Sequence, residues 1–170
     1  MSDTSREWQR LTVEQQRILE SHQQTPPVLV GEVAKELGLI VKSVTLSASI
    51  SGKIETDEGQ ENSFIIRINR HEPKYRQRFT VAHEIAHYLL HQDEIKSDGI
   101  VDTVLYRSSL SNRLEAEANR LAADIIMPWH LLREAIQGKD LDDEETIVDI
   151  AQEFNVSKVA LAIRLGIKIE

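Results

Sequence analysis

The segment His83-Glu84-Ile85-Ala86-His87 constrains this chain more than any other feature. It lies inside a helical pattern running from Pro73 to about His91, where Phe79, Ala82, Ala86, Leu89 and Leu90 form an apolar stripe beside the histidines. Pro73 suits the first helical position, where its missing N–H has no intrahelical partner anyway. Histidines at i and i+4 share one helix face. Such a helix is buried on its histidine side, not displayed to solvent.

Two imidazoles placed this way can converge on one ion at about 2.0–2.1 Å from each nitrogen. The acid beside the first histidine, Glu84, can then take a proton from an attacking water. A catalytic site of this kind needs a third protein ligand. The chain has no cysteine, so every ligand must be His, Asp or Glu, and a disulfide scaffold or a cysteine nucleophile is excluded. His91 continues the i, i+4, i+8 row, but on a straight helix its Cα lies about 12 Å from that of His83. It therefore reads as a helix-end histidine. Asp93 would need a chain bend, and Leu90 stands where a glycine would have to provide it. The remaining candidates lie in Leu114-Glu115-Ala116-Glu117-Ala118-Asn119 on a second helix. Glu115 and Asn119 share a face, so Glu115 can ligate while Asn119 accepts a hydrogen bond from a ligand imidazole. Glu117 projects about 200° away from Glu115, so the two cannot both serve. The Glu115/Asn119 pairing favours Glu115 as ligand and leaves Glu117 as a solvated side chain.

The rest of the chain alternates in period. Residues 12–23 are helical, with Thr12 and Gln15 at capping-box spacing and Pro26-Pro27 as the stop. A short helix runs from about Leu29 to Leu37 and ends at Gly38. Val44, Leu46, Ala48 and Ile50 alternate with polar residues and predict a first strand. Gly52 marks a turn or bulge, Lys53 to Thr56 a second strand, 57–62 a polar loop, and Phe64, Ile66 and Ile68 a third strand. Residues 92–110 read as polar and irregular. A strong helix covers about Ser111 to Met127, Pro128 opens another that Gly138 closes, and 145–154 and 157–165 form two short helices. The fold class is α+β, a small antiparallel three-stranded sheet packed with helices. Residues 1–27 form an N-terminal helical segment, 28–138 the domain holding the histidine helix, and 139–170 a C-terminal helical segment packed on it.

Composition narrows the function. With 41% hydrophobic and 28% charged residues over 170 positions, the chain can bury a substantial core. A net charge of −8 argues against non-specific nucleic-acid binding. No apolar stretch approaches a membrane span and the N-terminus has no apolar signal-peptide region, so a cytoplasmic protein without membrane contact is expected. Oligomeric state is left open.

These motifs in this order resemble the ImmA/IrrE family of bacterial metallopeptidases, gluzincin-like HExxH enzymes. The similar segments are Gly52 with its flanking strands, IRINRHEPKYRQRFTVAHEIAHYLLH (66–91), EAEANRLAADIIMP (115–128) and FNVSKVALAIRL (154–165), together spanning most of 28–166. Leu121 and Ile125-Ile126 stand where the family tends to carry Phe and Leu, a matter of packing. The resemblance implies His83, His87 and Glu115 as ligands of one zinc ion per chain, with Glu84 as general base. It also implies a protein substrate, a helix-turn-helix repressor whose cleavage releases genes for stress response or mobile-element transfer. A donor for the tetrahedral oxyanion is also required; the candidates are Tyr75, Arg76, Tyr88 and His91, with packing expected of Tyr88.

Two other readings compete. A catalytically silent zinc protein that only binds a repressor would have no use for Glu84 as a base. Alternatively, residues 147–158 resemble the first helix and turn of a helix-turn-helix, followed by a second helix with Lys158 and Arg164. That helix otherwise offers Val159, Ala160, Leu161, Ala162 and Ile163, which suit packing better than base or phosphate contact.

Overall fold

The computed structural model describes residues 3–103 and 112–169. A short 3₁₀ turn, Trp8–Arg10, precedes helix α1, Val13–Ser21. The capping box at α1 forms as its spacing predicts: the Thr12 hydroxyl accepts from Gln15 N–H while the Gln15 side chain accepts from Thr12 N–H. Helix α2 spans Val30–Glu36, and Gly38 follows at φ +80°, the left-handed stop expected there.

The sheet departs from the three-stranded antiparallel expectation. Strands β1 (Ile40–Val44), β2 (Ile50–Thr56), β3 (Phe64–Asn69) and β4 (Ile100–Thr103) form a mixed sheet in the order β1-β3-β2-β4. β1 runs parallel to β3, and the other pairings are antiparallel. The apolar alternation from Val44 to Ile50 is mostly not a strand. Residues 45–49 connect β1 to β2, and the buried Asn69 side chain donates to the carbonyls of Leu46, Ser47 and Ile50 at 3.4, 3.2 and 3.0 Å. A side-chain amide thus satisfies carbonyls that a ladder would otherwise have to satisfy. The β2–β4 register shifts between Ile50 and Gly52, the bulge that Gly52 suggested.

Helix α3 is Lys74–Leu90, with Pro73 as its N-cap rather than its first helical residue. The stretch 92–110, expected to be irregular, contains helix α4 (Gln92–Asp98) and, after Gly99 at φ +69°, strand β4. The part of that stretch at 104–110 and the expected helix start at Ser111 lie outside the described residues. Helix α5 spans Asn112–Ile126, α6 Trp129–Ile136, α7 Glu144–Phe154 and α8 Lys158–Leu165. Asn155 in the left-handed region ends α7, and Ser157 caps α8 through a bond from Ala160 N–H. Among the described residues no helix is long and apolar enough to cross a membrane.

Helix α3 is the centre of the molecule. Every residue from Thr80 to His87 is buried, with the sheet, α2 and α5 packed around it. Gly52 lets β2 come close: a Cβ there would lie 2.6 Å from the Thr80 Cγ2 and 3.0 Å from the Arg67 carbonyl. On α5, Ala118 and Ala122 share the face that carries Glu115 and are fully buried. Small residues on that face let the helix axes approach. The core is continuous, including Trp8 and Leu19 before residue 28 and Ile147, Phe154 and Leu161 after residue 138.

Candidate metal centre

Helices α3 and α5 bring together the residues that the spacing singled out. His83 Nε2 lies 3.2 Å from Glu115 Oε2, His87 Nε2 lies 3.0 Å from Glu115 Oε1, and the two imidazole nitrogens are 3.1 Å apart. Each residue is buried and offers one ligand atom, and this group could hold a metal ion. The fit is testable by geometry. Ligands at about 2.05 Å in a tetrahedral zinc site stand about 3.3 Å from one another. The triangle found here would open by only a few tenths of an ångström to accept such an ion.

Electrostatics suit the same role. Burial pushes the His87 pKa down to about 4; the Glu115 carboxylate opposes this, while His83 and His91 add to it. His87 is therefore neutral at neutral pH, the form that ligates. Burial works against ionisation of Glu115, yet the bonds from His83 and His87 outweigh it and hold the carboxyl well below the usual carboxylate range. Glu115 also sits in the first turn of α5, where the helix dipole favours negative charge. Glu84 follows His83 on α3 and is fully shielded from solvent.

The group opens onto a cavity of about 600 Å³. Its walls come from Ser51 of β2, from Tyr75, Arg76, Phe79, Thr80 and His83 of α3, from Glu115, Asn119 and Ala123 of α5, and from Val159, Ala160 and Ile163 of α8. Helix α8, read in the sequence as a packed tail, thus supplies one side of the cleft with the exposed apolar side chains Val159 and Ile163. Arg164 anchors it, ion-paired to Asp124 at 2.9 Å, donating to the Met127 carbonyl and lying over the Trp129 ring.

The other candidates separate by position. Tyr75 and Arg76 line the cavity, Arg76 paired with Glu72 at 3.3 Å. Tyr88 packs edge-on against Phe64, 5.3 Å between ring centroids, and lies outside the cavity lining. His91 is buried behind His87, its Nδ1 2.8 Å from His87 Nδ1, and does not line the cavity, so the oxyanion role considered for it does not fit. Asn119 lines the cavity, but among the described residues its side chain makes no hydrogen bond to a ligand imidazole; His91 reaches His87 instead, from the end of the same helix.

Glu117 overturns the expectation of a solvated side chain. It is buried, accepting from His91 Nε2 at 2.9 Å, Arg10 at 3.0 Å and Arg113 at 3.3 Å. Burial alone would raise its pKa, but the bonds from His91 and Arg10 prevail and lower it. The only local signal was Arg113 at i−4; Arg10 is 107 residues away and no local pattern announces it.

Comparison with known proteins bears on the same residues. Residues 34–166 match the family model of the IrrE N-terminal-like domain, a peptidase family. Curated proteins yield no match. The family match covers more than three-quarters of the chain and runs through the HExxH helix, the Glu115 helix and α8, so the chain belongs to the ImmA/IrrE family of metallopeptidases.

Proposed function

We propose that the protein is a zinc-dependent endopeptidase that cleaves a protein, a transcriptional repressor of the helix-turn-helix type. The convergence of His83, His87 and Glu115 at zinc-like spacing on the wall of an open cavity carries this reading. Family membership supports the peptidase chemistry and is the ground for the repressor class.

His83, His87 and Glu115 would hold the ion, with the one negative charge of Glu115 offsetting part of its charge. Zinc there supplies a Lewis acid that polarises the scissile carbonyl and makes water more acidic at neutral pH. Glu84 takes the proton of the attacking water and delivers it to the leaving amine. Tyr75 and Arg76 line the cavity and stay the candidates to donate to the oxyanion as the carbonyl carbon becomes tetrahedral. Val159 and Ile163 face the same space and suit apolar side chains of an extended substrate segment. The same exposed apolar residues speak against α8 reading base edges in DNA.

Elemental analysis of the purified protein beside its His83→Ala variant is the direct test. About one zinc per chain, lost in the variant, is expected, followed by cleavage of a helix-turn-helix repressor encoded beside it. Absence of metal in the wild type after zinc is offered would remove the peptidase reading.

A further inference from the structure

His91 and Glu117 lie outside the metal triangle, yet a continuous polar chain joins them to it. His87 Nδ1 meets His91 Nδ1 at 2.8 Å, and His91 Nε2 meets Glu117 Oε2 at 2.9 Å. Glu117 is held from the far side by Arg10 of the N-terminal 3₁₀ turn and by Arg113 one turn earlier on α5. His87, His91 and Glu117 are all buried, so no water competes freely for these bonds.

The direction of the chain follows from its two ends. Glu117 faces two guanidinium groups and can only accept, so His91 donates from Nε2. At the inner end His87 can hold a metal ion through Nε2 only with that nitrogen bare, so its one N–H sits on Nδ1 and is donated to His91 Nδ1, 2.8 Å away. That leaves the lone pair of His87 on Nε2, the atom that faces His83 and Glu115. The reverse arrangement would place a proton on His87 Nε2, where the ligand atom has to be bare.

We infer that His91 and Glu117 form a positioning relay, clamped by Arg10, that sets the tautomer and ring orientation of His87 for metal binding. The inference rests on the metallopeptidase reading and adds residues that the HExxH pattern does not contain. Arg10 lies before residues 34–166, which the family model matches, so the clamp comes from outside the matched region.

The test measures zinc affinity of the full chain by chelator competition, for the wild type, His91→Leu and His91→Gln. Leucine fills the buried volume without polar atoms and is expected to weaken zinc binding by roughly 10–100-fold. Glutamine keeps one acceptor and one donor and is expected to bind within about fivefold of the wild type, a rescue that packing alone would not produce. Nitrogen-15 NMR of the wild-type imidazoles supplies a second readout that needs no variant: His91 is expected protonated at Nε2 only, and His87 at Nδ1 only. Wild-type affinity in His91→Leu, no rescue by glutamine, or a proton on His91 Nδ1 would overturn the relay. A wild type that binds no zinc overturns the peptidase reading and the relay with it, whereas zinc bound equally by wild type and His91→Leu overturns the relay alone.

Discussion

Gly52→Ala tests how α3 is seated on the sheet. The added Cβ would stand 2.6 Å from Thr80 Cγ2 and 3.0 Å from the Arg67 carbonyl oxygen. The first separation is about 1 Å inside ordinary carbon–carbon contact. Thr80 is buried in the middle of α3, and a β-branched residue in a helix has few rotamers to escape into. Arg67 pairs with Lys53 in the β2–β3 ladder, so its carbonyl cannot swing aside. Overpacking of this kind costs about 1–3 kcal/mol. Thr80→Ser removes the offending methyl at a cost of about 1 kcal/mol, the usual loss for one buried methyl. The double variant should therefore be more stable than the sum of the single changes by about 1 kcal/mol or more, with the carbonyl contact retaining part of the strain. Urea unfolding of the four proteins measures this. With m near 2 kcal/mol/M, a cost of about 2 kcal/mol for Gly52→Ala lowers the midpoint by about 1 M. Because His83 lies one turn beyond Thr80, Gly52→Ala should also weaken metal binding, and Thr80→Ser should restore part of it. Strictly additive costs, or Gly52→Ala unfolding at the wild-type midpoint, would refute this account of the α3–β2 contact.

Other outcomes follow from the site. Glu84→Gln should retain the metal of the wild type and lose peptide cleavage by 100-fold or more, roughly the contribution of a positioned base; undiminished cleavage would remove Glu84 from the base role. Glu115→Ala should weaken zinc binding far more than Glu117→Ala, since it removes a ligand rather than a group acting through His91; chelator competition showing the reverse order would move the third ligand. Glu7 is buried, which by itself raises its pKa, but the paired bonds from Arg120 at 2.7 and 3.1 Å, with Arg6, bring it down to about 2. A depressed carboxylate stabilises the fold above its ordinary pKa of 4.5, and that contribution is lost as pH falls from there through about 2. With Arg120 partly exposed and solvent screening the pair, about 1–2 kcal/mol is expected. Glu7→Gln should flatten the stability–pH curve between pH 4.5 and 2, and an unchanged slope would show that the pair contributes nothing in solution.

Much of the site was legible in the chain because it is written in short-range spacing. The i, i+4 histidines declare a helix face, Thr12 and Gln15 declare a cap, and Glu115 could be preferred to Glu117 because the two project to different sides of one helix. Gly52 announced a bulge, though not that a helix would press against it. Where the reading failed, the deciding contact was remote in sequence. The alternation from Val44 to Ile50 imitates a strand, but Asn69, some twenty residues on, holds its carbonyls in a loop. Strand β4 has only the Ile100-Val101 pair to signal it and exists because β2 offers an edge.

Local periodicity determined the histidine helix, its buried face and the kind of ligand that could meet it, since those depend on interactions within one or two turns. Tertiary structure alone decided that Glu117 is buried and joined to His91, that α8 forms a wall of the cleft, and that Arg10 and Glu7 reach α5. The physical reason is that a side chain's exposure depends on what packs over it. For Glu117 and Arg120 that partner is a segment more than a hundred residues earlier, whose path no short-range pattern encodes.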